Sequence, residues 1–83
     1  MLQDRLIALV TQILAKNAID RVPSVDVRLS EAGLSSLDMV NLMFAVEAEF
    51  DIEIAPTDIT PENFHSIATI EALLRRMDVG TGI

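Results

Sequence analysis

The sequence contains no cysteine, which excludes disulfide staples, thiolate-zinc sites and a cysteine nucleophile and leaves packing to supply the stability. It has no tryptophan or tyrosine and three phenylalanines, Phe44, Phe50 and Phe64. Any core is therefore assembled from Leu, Ile, Val, Met and Ala, a mixture that suits helices. Positive charge is scarce: six Lys and Arg stand against thirteen Asp and Glu, a net charge of −7. That sign argues against nucleic-acid phosphates or an anionic membrane as partners and favours basic ones. Long apolar runs are missing as well. The longest, Leu6 to Val10 and Leu42 to Val46, are five residues, far short of the roughly 18 that a membrane span needs. The first stretch meets Asp4 before any basic residue and is interrupted at Thr11 and Gln12. It fits neither region of a signal peptide, so a cytoplasmic address is expected.

What is present suits one small all-α domain. Of 83 residues, 51% are hydrophobic and 23% charged, a globular balance in a length that makes a single core. The domain is expected over residues 1–79, with Gly80 and Gly82 releasing a frayed tail over 80–83. Leu2, Leu6, Leu9, Val10, Ile13 and Leu14 recur at spacings of three and four, which predicts a helix from Leu2 to about Lys16. Asn17, Pro23, Ser24, Ser30 and Gly33 then punctuate a long loop pinned by Ile19, Val22, Val25, Val27, Leu29 and Leu34. Within it, Val25 to Leu29 alternates like a strand but has no partner strand.

Ser35-Ser36-Leu37-Asp38 has the S-x-x-D form of a capping box and opens a helix to about Phe50. Met39, Leu42, Met43, Val46 and Phe50 share one face of it, and Leu37, Val40, Phe44 and Ala48 another. The first face belongs to the core, with Phe50 as one of its anchors. The second is either a further layer of core or a surface for docking a partner. Thr60-Pro61-Glu62-Asn63-Phe64 marks a short helix, with Thr as N-cap and Pro in the first helical position. A last helix starts near Ser66 or Thr69, carries Ile67, Ile70, Leu73, Leu74 and Met77 as its core stripe, and ends on Arg75 and Arg76. Three long helices and one short one result.

Residues that perform chemistry unaided are few. His65 is the sole histidine, too few imidazoles for a metal site among scattered acids, and reads as a surface loop residue. Asp51, Glu53 and Asp58 miss the spacing of a calcium loop. Gly33-Leu34-Ser35-Ser36-Leu37 approaches the G-x-S-x-G elbow of serine hydrolases, but Leu37 stands where the second glycine is needed. A hydrolase also requires a base near Ser36, for which His65 is the one histidine available. Met43, Val46 and Leu74 would line an interior pocket if one opened, and read equally as ordinary core.

The segment Gly33-Leu34-Ser35-Ser36-Leu37-Asp38-Met39-Val40 resembles the attachment site of acyl carrier and peptidyl (aminoacyl) carrier proteins, whose usual form is G-x-D-S-L. The likeness extends through Glu47-Ala48-Glu49-Phe50-Asp51-Ile52-Glu53-Ile54 and Ser66-Ile67-Ala68-Thr69-Ile70-Glu71, almost the whole chain. It implies an acyl-carrier-protein-like four-helix bundle in which Ser36 bears a covalent 4'-phosphopantetheine arm. The arm's thiol holds an acyl or aminoacyl group as thioester, so the chain is a stand-alone shuttle and not an enzyme. Implied partners are a phosphopantetheinyl transferase, a loading ligase or synthetase, and downstream transferases with basic docking patches. The docking face so implied consists of Leu37, Val40 and Phe44, with Asp38, Asn41 and Glu47 around them, on a monomer that binds no nucleic acid. Two departures stand out. Ser35 replaces the aspartate that usually precedes the attachment serine, and Asn41 and Ala48 occupy positions often acidic in fatty-acid carriers, which leans toward an aminoacyl or secondary-metabolic role. Without the resemblance, Ser36 reads as a capping serine in a helical interaction module with no prosthetic group.

Overall fold

A computed structural model describes residues 2–77, and the expected tail at 80–83 lies outside them. Four α-helices follow one another: α1 (Leu2–Lys16), α2 (Leu29–Ala32), α3 (Ser36–Phe50) and α4 (Ile67–Arg76), with a 3₁₀ turn at Pro56–Asp58. The described residues contain no strand, and Val25 to Leu29 forms a turn leading into α2. Helix α1 lies at the centre, packed against both α3 and α4. Its buried stripe is Leu2, Leu6, Val10, Ile13 and Leu14, facing Leu42 and Val46 of α3 and Ile67, Ile70, Leu73 and Leu74 of α4. Leu9 is only partly buried at the edge of this cluster.

Helix α1 ends in a Schellman motif. The Ile19 N–H donates to the Leu14 carbonyl at 2.8 Å and the Ala18 N–H to the Ala15 carbonyl at 3.0 Å. Ala18 takes the left-handed conformation, φ 62°, that this motif usually gives to glycine. The long loop that follows is tied to the start of α4 by two backbone hydrogen bonds of 2.9 Å, from Ala68 to the Val25 carbonyl and from Leu29 to the His65 carbonyl.

The short helix is displaced from its predicted place. Thr60 to Phe64 makes one hydrogen-bonded turn, with the Thr60 hydroxyl accepting from the Asn63 N–H at 3.1 Å and the Phe64 N–H reaching the Thr60 carbonyl at 3.1 Å. The four-residue α2 carries no side-chain N-cap. Burial of Leu29 and Ala32 holds it instead, a tertiary cause that no local signal announces. Gly33 closes it at φ 124°, where a Cβ would collide with the Ile19 side chain, and leads the chain toward α3.

Both ends of α3 are fixed from α1. At its start the capping box is complete: the Ser35 hydroxyl accepts from the Asp38 N–H at 3.1 Å, and Asp38 Oδ2 accepts from the Ser35 N–H at 2.9 Å. Asn17, just past α1, donates its amide to the same Oδ2 at 2.8 Å. These bonds hold the Asp38 carboxyl below the usual carboxylate range, the Ser35 N–H contributing most and Asn17 next. At the far end, Arg5 donates to the Glu49 carboxylate at 2.8 Å and to the Glu49 carbonyl at 2.9 Å. Its guanidinium lies 4.5 Å from the centre of the Phe50 ring. Phe50 is therefore a half-buried edge residue roofed by Arg5, not the core anchor the pattern suggests.

Two predictions follow from these junctions. Ala18→Gly relieves a left-handed alanine and raises the thermal midpoint, whereas Gly33→Ala lowers stability by roughly 1 to 3 kcal/mol because its φ is closed to a Cβ; thermal denaturation of both variants checks the opposite signs. Asp38 has a lower carboxyl pKa folded than unfolded. Its contribution is complete above the unfolded value of about 3.9 and is lost as the pH falls through the folded one. Asp38→Asn is expected to be less stable than the parent at neutral pH, with the gap closing as denaturation curves are taken from about pH 5 toward pH 2.

Candidate functional site

The Gly33 turn and the buried Leu34 deliver two serines to the start of α3 with different tasks. Ser35 is the N-cap, in extended backbone at φ −79°, ψ 174°, with its hydroxyl committed to Asp38. It therefore does the capping that serine and aspartate share. Ser36 is the first helical residue, exposed, and among the described residues its hydroxyl has no hydrogen-bond partner. The capping reading of the serine pair thus falls to Ser35. A helix leaves its first N–H groups open, and an anion at this end meets them and the positive end of the dipole.

Beside Ser36 opens a groove of about 730 Å³ between α3 and the 59–65 segment. Met39, Val40 and Met43 form one wall, and Ile59, Pro61 and Phe64 the other. Arg28 and His65 border it too. His65, which carries no role in the sequence reading, is exposed as expected of a loop residue but stands on the same groove as Ser36. Among the described residues no hydrogen bond joins its ring to Ser36, and no carboxylate lines the groove to orient it as the base of a hydrolase. Of the three residues set to line an interior pocket, Met43 does line the groove, while Val46 and Leu74 are fully buried in the core. No group of three or more potential metal ligands occurs among the described residues, and no helix is long and apolar enough to cross a membrane.

The second apolar face of α3 is open. Leu37 is 70% exposed, Val40 45% and Phe44 58%, large values for side chains of this kind and arranged along one side of the helix from Ser36. Asn41 and Ala48 are exposed beside them. The acids predicted around this face are already engaged. Asp38 serves the capping box, and Glu47, partly buried, accepts from the Ile54 N–H at 2.8 Å and so closes the loop after α3. Sequence reasoning also missed Asn17, Arg28 and Arg5. Asn17 and Arg5 act across long sequence separations, Arg28 meets the groove only through the fold, and none has a local pattern that announces this.

Residues 4–77 match the family of the phosphopantetheine attachment site. The chain is 47% identical over 72 residues to aminoacyl carrier protein 1 of Bradyrhizobium diazoefficiens, covering 87% of this chain and 80% of that one. It is 42% identical over 81 residues to aminoacyl carrier protein 2 of the same organism, covering 96% and 91%. A solved structure of Bradyrhizobium japonicum glycine:[carrier protein] ligase complexed with glycylated carrier protein contains a chain that superposes with a TM-score of 0.76 at 46% identity, over 88% of this chain and 99% of that one. The residues around Ser36 fit a phosphopantetheine group: a free exposed hydroxyl, open N–H groups at the helix start, and a groove edge lined by no carboxylate. With the family match over residues 4–77 and a shared fold over most of both chains, the chain belongs to the phosphopantetheine-binding carrier protein family.

Proposed function

We propose that Ser36 is the residue to which the 4'-phosphopantetheine arm is joined, and that the cargo is an amino acid. The observation that carries the first part is the division of labour between the serines: Ser35 is consumed by the cap, which leaves the Ser36 hydroxyl exposed and free for a phosphodiester. The second part is supported by the relatives, which are described as aminoacyl carriers, and by a structural neighbour described as glycylated carrier protein in complex with its ligase. Those relatives are themselves small, and this chain spans 80% and 91% of them, which suits a stand-alone carrier. When bound, the arm supplies a thiol that holds the cargo as a thioester. The protein's own residues position it. Asp38, Ser35 and Asn17 hold the first turn of α3, and its open N–H groups favour the phosphodiester anion.

Leu37, Val40 and Phe44 are the apolar centre on which a loading ligase, a phosphopantetheinyl transferase and downstream transferases dock in turn. Asp38, Asn41 and Glu47 stand around that centre. The net charge of −7 steers basic partner surfaces toward it, and the apolar anchors fix the register of a transient complex. The carrier is a monomer of the cytoplasm in this reading.

Co-expression with a broad-specificity phosphopantetheinyl transferase should add one phosphopantetheinyl group by intact mass, and Ser36→Ala should remove the addition without lowering the thermal midpoint. An unmodified parent chain overturns the assignment and leaves a helical interaction module. Leu37→Ala and Phe44→Ala should slow aminoacyl loading by a carrier-protein ligase roughly tenfold, about 1.4 kcal/mol. Because both side chains are exposed, stability should change by no more than about 0.5 kcal/mol. A loss of several kcal/mol in either variant would place them in the core and end the docking reading.

A further inference from the structure

The groove at Ser36 has a charge opposite to that of the chain around it. The sequence holds thirteen acidic and six basic residues, yet among the described residues lining the groove there is no acid, and the ionisable ones are Arg28 and His65. The acids next in sequence to groove residues, Glu31, Asp38 and Glu62, do not line it. Backbone bonds tie together the segments that carry these two side chains. The Leu29 N–H, directly after Arg28, donates to the carbonyl of His65 itself at 2.9 Å, and the Ala68 to Val25 bond of 2.9 Å repeats the tie one turn away.

Neither side chain is held by a strong partner. Arg5 is engaged with Glu49, Arg75 with Glu71, Arg76 with Asn63 and Arg21 with the Ala32 carbonyl. Arg28 has Glu31 alone, at 3.8 Å, with the two side chains 57% and 67% exposed. An ion pair of that kind contributes little and exchanges readily for a better anion. The imidazole of His65 has no hydrogen-bond partner among the described residues.

We propose that Arg28 and His65 form an anion clamp for the phosphodiester at Ser36, setting the direction in which the arm leaves the helix. The guanidinium offers a fork of donors suited to two phosphate oxygens, and the ring adds a third donor from the facing segment. The arm is then drawn toward the 59–65 wall instead of pointing along the α3 axis. Between two partner enzymes its root has a preferred direction, set by residues that do not belong to the docking face. The inference rests on the reading of Ser36 as the attachment residue.

The test is phosphorus NMR on the modified full-length protein, with intact mass establishing that the arm is present. A phosphodiester keeps one charge near neutral pH, so at a fixed pH a change in its resonance between variants reports a changed neighbour. In His65→Gln the resonance should be displaced from its position in the parent protein. In Arg28→Gln it should be displaced as well, and the parent resonance should shift toward that of the Arg28→Gln variant as salt is raised. Both variants exchange exposed side chains and leave the backbone ties in place, which a thermal melt verifies. A resonance that coincides in all three modified proteins overturns the clamp while leaving Ser36 as the attachment residue. Absence of the added mass overturns both.

Discussion

One carboxylate oxygen, Oδ2 of Asp38, accepts from the Ser35 N–H and from the Asn17 side chain, and so joins the end of α1 to the beginning of α3. The remaining features of the site depend on this junction. It fixes Ser35 as the cap, which frees Ser36. The Asn17 bond adds a tie from α1 to this capped first turn. Through the adjoining Gly33 turn it also fixes where α2 ends. Arg5 does the corresponding work at the other end of the helix, satisfying the Glu49 carbonyl and shielding Phe50. Helix α1 is therefore both the central layer of the core and the frame that holds α3 from each end.

Such anchoring answers a difficulty specific to α3. Fully buried residues in this helix are Leu42 and Val46, while Leu37, Val40 and Phe44 face outward. A helix that spends its apolar residues on an open face gains less from burial than α1 or α4, each with an unbroken buried stripe. The capping box, the Asn17 tie and the Arg5 clasp compensate with polar contacts placed at the termini, where helices are otherwise weakest. The apolar face is thereby left open on a helix whose two ends are held.

Periodicity and capping chemistry made most of this legible in sequence. The bounds of α1, the start of α3 at the S-x-x-D box and the stripe of α4 all arise from contacts within about four residues, and the sequence states them directly. Where the determining contact is distant, the pattern fell silent or misled. Leu29 to Ala32 lacks a cap and is helical because two of its side chains are buried, while Thr60 to Phe64 has the cap and the proline but only one turn. Phe50 continues the core stripe by spacing, yet the stripe reaches the protein's edge there and Arg5 takes the place of a core neighbour. Glu47 reads as a surface acid until the chain turns back and presents the Ile54 N–H to it. Likewise, Ser36 could be singled out by its motif, whereas the groove beside it depends on how the 59–65 segment folds against α3.

Val40 belongs to both surfaces. It is 45% exposed on the outer face with Leu37 and Phe44, and it also forms part of the groove wall with Met39 and Met43. The two surfaces therefore meet along one ridge of α3, one turn beyond Ser36, instead of lying on opposite sides of the protein. Val40 is thus the side chain at which the outer face and the groove wall adjoin. The root of an arm at Ser36 lies at the head of that ridge, within reach of either side. On the reading proposed for Ser36, α3 stands between the groove side, bordered by Arg28 and His65, and the outer face of Leu37 and Phe44. An arm rooted at Ser36 would pass from one to the other by rotation about its own bonds, which costs far less than opening a packed core.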